Sequence, residues 1–187
     1  MSTIADTMIR KIRAQDEASL ARLYEAAFPT EDLVPLLRRL HAEVPDLLSL
    51  VAVGGANASG AENSSEECVG HALFTPCAVE GTDRQVALLG PIAVAPFRQR
   101  QGLGATLIRE GSARLCQSGI QQVLVLGDPA YYGRLGFRPE KRIRPPYELP
   151  ADWAGAWQSA LLEGNAAPLS GTLRPPGAWL APSLWAP

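Results

Sequence analysis

Gln99-Arg100-Gln101-Gly102-Leu103-Gly104 runs directly into an amphipathic helical pattern. Across residues 102–116, Leu103, Leu107, Ile108 and Leu115 share one face, and Arg109, Glu110 and Arg114 lie largely opposite. Gly119 supplies the stop. A helix start of this kind can hold an anion, because its first N–H groups have no intrahelical acceptor and the helix dipole adds partial positive charge. Gly102 and Gly104 carry no side chain to block a phosphate, and Arg98 and Arg100 add charge. Taken alone, the loop fits equally well a glycine-flanked helix start with solvated arginines.

Upstream of the loop the chain reads mainly as strands. Residues 86–94 form one, preceded by a Gly81-Thr82-Asp83 turn and a strand over 68–79. Residues 47–53 form another. Between them lie residues 54–67, rich in Gly, Ala, Asn, Ser and Glu, which cannot bury enough apolar surface to order and are expected to be a mobile hairpin loop. At the start of the chain, residues 1–8 read as a flexible leader. The alternation Ile9-Arg10-Lys11-Ile12-Arg13 suits a half-buried first strand. Asp16 is expected to cap a helix carrying Leu20, Leu23, Tyr24, Ala27 and Phe28, which Pro29 ends. A second helix starts near Thr30, capped by Thr30 or Asp32, with Leu33, Leu36, Leu37 and Leu40 inward and Pro45 closing it.

Downstream, Val123-Leu124-Val125-Leu126 is a continuous apolar run, as in a strand buried on both faces of a partly parallel sheet. A short helix over 129–135 and the strand-like Phe137-Arg138-Pro139 follow. This order predicts one mixed α/β domain over residues 9–175, with a Pro- and Trp-containing tail over 176–187. The length of 187 residues suffices for one well-filled core and is short for two.

The net charge of −2 supplies no basic field to draw the chain to nucleic acid or membrane. No apolar run reaches the roughly 18 residues a membrane span needs. No apolar stretch of signal-peptide length stands among residues 1–13, so a cytoplasmic location is expected. Cys68, Cys77 and Cys116 are an odd number without a CxxC pair, and His41 and His71 lie far apart. Neither a disulfide framework nor a metal site is expected.

A second motif stands downstream in Ala130-Tyr131-Tyr132-Gly133-Arg134-Leu135-Gly136-Phe137, where Tyr132 precedes a Gly-Phe pair by three intervening residues. Together, Gln99-x-x-Gly102-x-Gly104 and this tyrosine motif resemble the two signatures of the GNAT superfamily of N-acetyltransferases, in the same order and with helix and strand between. The similarity covers roughly residues 9–175, and Leu89-Gly90-Pro91-Ile92-Ala93-Val94 is similar to one bacterial subgroup. The resemblance implies a partly splayed mixed sheet flanked by helices. It also implies acetyl transfer from acetyl-CoA to a primary amine on a small molecule or peptide, by direct attack on the thioester. The amides of Gln101, Gly102, Leu103, Gly104 and Ala105, with Gln99 and Arg100 beside them, would hold the CoA pyrophosphate. Backbone groups of Ile92, Ala93 and Val94 would meet the pantetheine arm. Pro91 suits that role, since it cannot donate to a ladder and marks an edge or bulge.

Tyr132 is the candidate acid for the leaving thiolate. A phenol near pKa ~10 can protonate a thiolate whose conjugate acid is near ~8.5, with little driving force. The thioester carbonyl would be polarised by a backbone N–H near Ile92 or Ala93. For the base, Glu80, Asp83, Glu25, His71, Asp128 and a chain of waters all stay open. Asp128 stands where the family often has an Asn contacting pantetheine, but it is also placed to cap a short helix with Pro129 at its first position, and the cap reading is favoured. Trp153 and Trp157, four apart, suggest one face of a helix packing on the core. The tryptophan-rich tail would otherwise line an acceptor site or cover a homodimer interface.

Two other classes remain. A GNAT-like module that binds CoA or a partner without catalysis shares every feature except the chemistry. A nicotinamide-binding Rossmann domain would also place Gly102-x-Gly104 at a helix start and an acid at Asp128. Against it, Leu107 replaces the third glycine and residues 98–101 separate the loop from its strand. Gly104→Val is expected to abolish CoA binding by crowding the phosphates, measured by calorimetry on folded protein; unaltered affinity would remove the loop assignment.

Overall fold

The computed structural model describes residues 7–54, 67–153, 155–162 and 167–185. The expected mobile hairpin loop lies outside them except for its end residues Gly54 and Glu67, as does most of the expected leader. The elements are β1 (Thr7–Lys11), α1 (Glu17–Ala27), α2 (Val34–Glu43), β2 (Leu48–Gly54), β3 (Glu67–Val79) and β4 (Gln85–Val94). They continue with α3 (Leu103–Gln117), β5 (Gln122–Leu126), α4 (Pro129–Tyr132), β6 (Arg138–Pro139), β7 (Ile143–Arg144), β8 (Trp157–Leu161) and β9 (Gly171–Arg174). Among the described residues this is a mixed α/β fold whose strands hydrogen-bond in the order β1-β2-β3-β4-β5-β8-β6, with β9 pairing with both β3 and β7.

The chain divides into two compact units, neither of them continuous in sequence. The first comprises Met1–Pro35, Leu48–Leu73 and Pro91–Gly111. Here β1 runs antiparallel to β2, with Thr7 opposite Gly54 and Lys11 opposite Leu50. Leu20, Leu23 and Tyr24 of α1, Leu50 to Val53 of β2, and Leu103 and Leu107 of α3 are all buried. Helix α3 seats closely on β3: a Cβ at Gly70 would lie 3.0 Å from Leu107 Cδ1 and 3.1 Å from Leu103 Cδ2. That seating fixes where the first turn of α3 begins.

Two expectations change in this unit. Asp16 stands at the N-cap of α1 but makes no side-chain cap bond. Its buried carboxylate instead accepts from both terminal nitrogens of Arg10, at 2.6 and 2.9 Å, and from the Arg13 N–H at 2.7 Å. A short 3-10 turn, Ala14–Asp16, precedes the helix and turns the carboxylate back toward β1. Helix α2 begins at Val34 rather than near Thr30, and Asp32, not Thr30, reaches the Val34 N–H, at 3.2 Å.

The second unit comprises Leu36–Leu47, Phe74–Gly90 and Ser112–Pro187. Its ladder between β4 and β5 is parallel and registers Ala87, Leu88 and Leu89 against Val123, Leu124 and Val125. All six residues are buried, which accounts for the unbroken apolar run of β5. Strand β8 pairs antiparallel with β5 along its whole length and with the short β6. The ladder thus holds three residues of β4, which continues for five more, through Val94.

The tryptophans do not form a helical face. Trp153 ends a 3-10 turn, while Trp157 opens β8, because Gly155 lies in the turn between them and the segment bends instead of continuing as a helix. Trp157 is buried and its indole donates to the Ile143 carbonyl at 2.7 Å. Trp179 donates to Thr75 Oγ1 at 3.1 Å, and Trp185 to the Trp179 carbonyl at 2.8 Å. Trp185 packs edge-on against Trp157 and Trp179, with ring centroids 5.9 and 6.5 Å away. Trp179 and Trp185 of the tail are therefore part of the core of this unit, each buried indole having found an acceptor.

Among the described residues no helix is long and apolar enough to cross a membrane. None of Cys68, Cys77 and Cys116 is in a disulfide, and burial pushes the Cys77 thiol up to about 12.

The Arg10–Asp16 pair generates a pH-dependent stability. The hydrogen bond from Arg10 holds the Asp16 carboxyl below its usual value of 3.8. The unfolded chain therefore takes up this proton first on acidification. The contribution is complete well above that value and is lost as pH falls through it toward the lower folded value. Asp16→Ala is expected to cost about 3 kcal/mol near neutral pH by urea denaturation, because it removes the carboxylate that pairs with a buried guanidinium. It should also flatten the acid limb of stability against pH.

Candidate active site

The anion loop lies wholly in the first unit. Strand β4 enters it with Ile92 and Val94 half-buried on one face and Ala93 buried between them, so the strand end has one face only partly covered. A 3-10 turn, Pro96–Arg98, links strand to loop. Arg100 has φ +59° and Gly102 has φ +85°, whereas Gln101 is not among the residues of positive φ. With helical Leu103 next, the backbone alternates in hand over residues 100–103. Alternation of this kind turns successive N–H groups toward one concave face, a nest for an anion.

Side chains hold the loop in that shape. Gln99 Nε2 donates to the Val94 carbonyl at 3.1 Å, and Gln101 Nε2 to the Phe97 carbonyl at 2.9 Å. Thr106 closes the first turn of α3 by donating both its N–H and its hydroxyl to the Gly102 carbonyl. The two glutamines thus act through their amide side chains on the chain itself. Arg100 is exposed beside the nest. Arg98 is not: it is buried, with one terminal nitrogen on Thr7 Oγ1 at 2.7 Å and Nε without a partner. The 3-10 turn before the loop directs its side chain inward, so the expected pair of loop arginines reduces to Arg100.

Asp128 and Tyr132 belong to the second unit, on either end of α4. Asp128 accepts from the Ala130 N–H at 2.8 Å, with Pro129 at the first helical position. Its side chain is therefore the helix cap. Tyr132 is buried, with its ring edge-on to Tyr131 and Phe137 at 5.0 and 5.6 Å. Among the described residues, packing alone holds its ring, and no side-chain hydrogen bond ties its hydroxyl. Burial, with a smaller contribution from Tyr131, pushes the phenol well above 10.0, so it keeps its proton at any working pH.

One residue that sequence reasoning missed is Gly127. A Cβ there would meet Tyr132 Cε2 at under 2.5 Å and Cδ2 at 3.0 Å, so the Tyr132 ring packs directly against the Gly127 backbone. Nothing in the local pattern marks Gly127, because the ring reaches it from the helix that follows.

The candidate bases separate by environment. Glu80 is exposed and pairs with Arg174 at 3.0 Å, which lowers its pKa and its value as a base. Asp83 lies exposed in the β3–β4 turn. His71 has no exposed surface and lies between two hydroxyls, with Tyr24 on Nδ1 at 2.7 Å and Ser49 on Nε2 at 2.9 Å. Glu25 faces an open cleft of ≈ 380 Å³ in the first unit, lined by Tyr24, Phe28 and residues 29–34.

With this geometry in place, the chain compares as follows. The model of the acetyltransferase (GNAT) domain matches residues 8–139. The chain is 36% identical over 113 residues to the uncharacterized N-acetyltransferase YjhQ of Escherichia coli K12, covering 58% of this chain and 62% of the relative. To the uncharacterized N-acetyltransferase YhbS of the same strain it is 34% identical over 95 residues, covering 51% and 54%. It therefore spans less than two thirds of the curated relatives it matches. Among solved structures, E. coli YhbS in complex with CoA superposes with a TM-score of 0.79 at 25% identity, covering 94% of this chain and 93% of that one. A GNAT family acetyltransferase of Brucella melitensis in complex with acetyl-CoA superposes with a TM-score of 0.67 at 29% identity, covering 92% and 97%.

Gly127→Ala is expected to displace the Tyr132 ring and to cost about 1–3 kcal/mol by denaturant unfolding, as overpacking does. The near-UV circular dichroism of the aromatic cluster should change with it.

Proposed function

The chain belongs to the GNAT acetyltransferase family, and from that premise we propose that it transfers an acetyl group from acetyl-CoA to a primary amine of a small molecule or peptide, by direct attack on the thioester. The observation that carries this reading is the alternation of backbone hand over residues 100–103 at the start of α3. A nest of N–H groups at a helix N-terminus fits a pyrophosphate, and the neighbouring strand end has a half-covered face. When bound, acetyl-CoA supplies an acyl group already activated as a thioester.

The remaining roles fall to the chain. Amides of Gln101, Gly102, Leu103, Gly104 and Ala105 would hold the pyrophosphate, with Gln99 and Gln101 keeping the loop in shape and Arg100 adding charge. The backbone of Ile92, Ala93 and Val94 would pair with the pantetheine arm, and an N–H at Ile92 or Ala93 would donate to the thioester oxygen as its charge grows. Tyr132 would hold a proton for the leaving sulfur. Burial makes its phenol a weaker acid, but the same loss of solvent raises the proton affinity of a thiolate beside it, so the mismatch is less than the two shifts taken singly. No side chain is assigned as base: Glu80 is weakened by Arg174, and His71 has both ring nitrogens on neighbouring hydroxyls.

Release of free thiol from acetyl-CoA in the presence of a panel of primary amines tests the proposal. CoA binding without acetylation of any amine would instead favour a non-catalytic CoA-binding module. In the active case, Tyr132→Phe is expected to lower kcat by about 100-fold, the scale of general acid catalysis, with little change in KM for acetyl-CoA. Unchanged turnover would remove the acid assignment.

A further inference from the structure

Strand β4 carries an irregular pair of residues near its middle. Gly90 has φ +145°, a conformation open in practice only to glycine, and Pro91 has no N–H. The parallel ladder with β5 ends just before them, at Leu89, so that ladder does not set the direction of the Pro91 carbonyl.

A side chain sets it. The Tyr24 hydroxyl, carried on α1, donates to the Pro91 carbonyl oxygen at 3.1 Å. Tyr24 is almost fully buried, and Phe28 stacks on its ring at 5.8 Å. Pro91 oxygen can only accept, so the single phenolic proton goes to it, and the 2.7 Å contact with His71 Nδ1 then needs a proton on Nδ1. That leaves Nε2 of the neutral ring to accept from the Ser49 hydroxyl at 2.9 Å. The four groups form a chain of one polarity: Ser49 donates to His71, His71 to Tyr24, and Tyr24 to Pro91. All of them lie in the first unit. Tyr24, His71 and Ser49 come from α1, β3 and β2, so three separate elements converge on one carbonyl.

The consequence reaches the next residue. In a planar trans peptide the C=O of Pro91 and the N–H of Ile92 point in opposite directions. Fixing the carbonyl toward Tyr24 fixes the Ile92 N–H away from it. We propose that Tyr24, oriented by His71 and Ser49, is a positioning residue that aims the Ile92 N–H at the thioester oxygen. The proposal rests on the acetyltransferase reading above for its consequence in catalysis, but its geometric content stands in the ligand-free protein. It gives His71 a place other than that of a base: a fixed link in a buried brace.

The test has two arms. In the ligand-free protein near neutral pH, 15N spectra of His71 should show a proton on Nδ1. The Ile92 amide resonance should shift, and its hydrogen exchange should accelerate, in Tyr24→Phe. A neutral His71 with its proton on Nε2, or an Ile92 amide unchanged in Tyr24→Phe, overturns the proposal whether or not the chain transfers acetyl groups. In the activity arm, Tyr24→Phe is expected to lower kcat by about tenfold or more at nearly constant KM for acetyl-CoA, a fraction of what loss of an oxyanion donor costs. His71→Leu should follow it, while His71→Asn, which can keep a donor near the Nδ1 position, should recover much of the loss. If Tyr24→Phe fails to fold, Ser49→Ala reads the same chain one link further back, and an unmoved Ile92 amide there overturns the proposal. Absence of acetyl transfer in the parent protein, with the spectroscopic results as expected, overturns the functional reading and leaves the brace.

Discussion

Proline 91 has no N–H to contribute, and Gly90 before it occupies a backbone region closed to other residues. Those two residues follow directly on the end of the parallel ladder with β5, partway along a strand that otherwise reads as continuous apolar sequence. Before the break, Ala87, Leu88 and Leu89 are buried and locked in parallel register with β5. After it, the strand carries half-buried Ile92 and Val94 and leads into the loop at the start of α3. Beyond the ladder with β5, the Pro91 carbonyl accepts instead from the buried Tyr24 hydroxyl.

The loop beyond the strand follows a similar logic. Its polar side chains are turned onto its own backbone, Gln99 onto Val94 and Gln101 onto Phe97. Glutamine suits this work because its amide reaches a carbonyl without bringing charge against the phosphates it would border. The N–H groups that remain are gathered by the alternating hand of Arg100, Gln101, Gly102 and Leu103. Close seating of Leu103 and Leu107 over Gly70 holds the helix start in place, so a nest made of backbone is anchored by apolar packing.

Tyr132 is held differently. Its ring lies on the bare backbone of Gly127, with Tyr131 and Phe137 against its edges. Steric fit thus sets the phenol while its hydroxyl stays unattached among the described residues. A hydroxyl already tied to a strong acceptor would be a poorer proton donor to a new one. The buried Arg10–Asp16 pair and the Trp157, Trp179 and Trp185 cluster each consolidate one of the two units.

Much of this was legible in order along the chain. Hydrophobic period placed β1 to β6 and α3 to within two residues, because Leu103, Leu107, Ile108 and Leu115 repeat at helical spacing and residues 123–126 do not alternate, whereas β7, β8 and β9 were not placed. The glycines at 102 and 104 and the Tyr132-x-x-x-Gly136-Phe137 spacing pointed to a CoA-using acetyltransferase, since they are local patterns. What tertiary structure decided were the matters that depend on distant residues. Asp16 has the position of a cap but bonds to Arg10 on another element, Arg98 turns inward to Thr7, and Trp153 and Trp157 keep helical spacing without a helix. Most of all, nothing local joins Tyr24, Ser49 and His71 to Pro91. Sequence spacing reports which residues share a face of one element; which buried donor meets which acceptor is set only when separate elements pack and every polar group inside must find a partner.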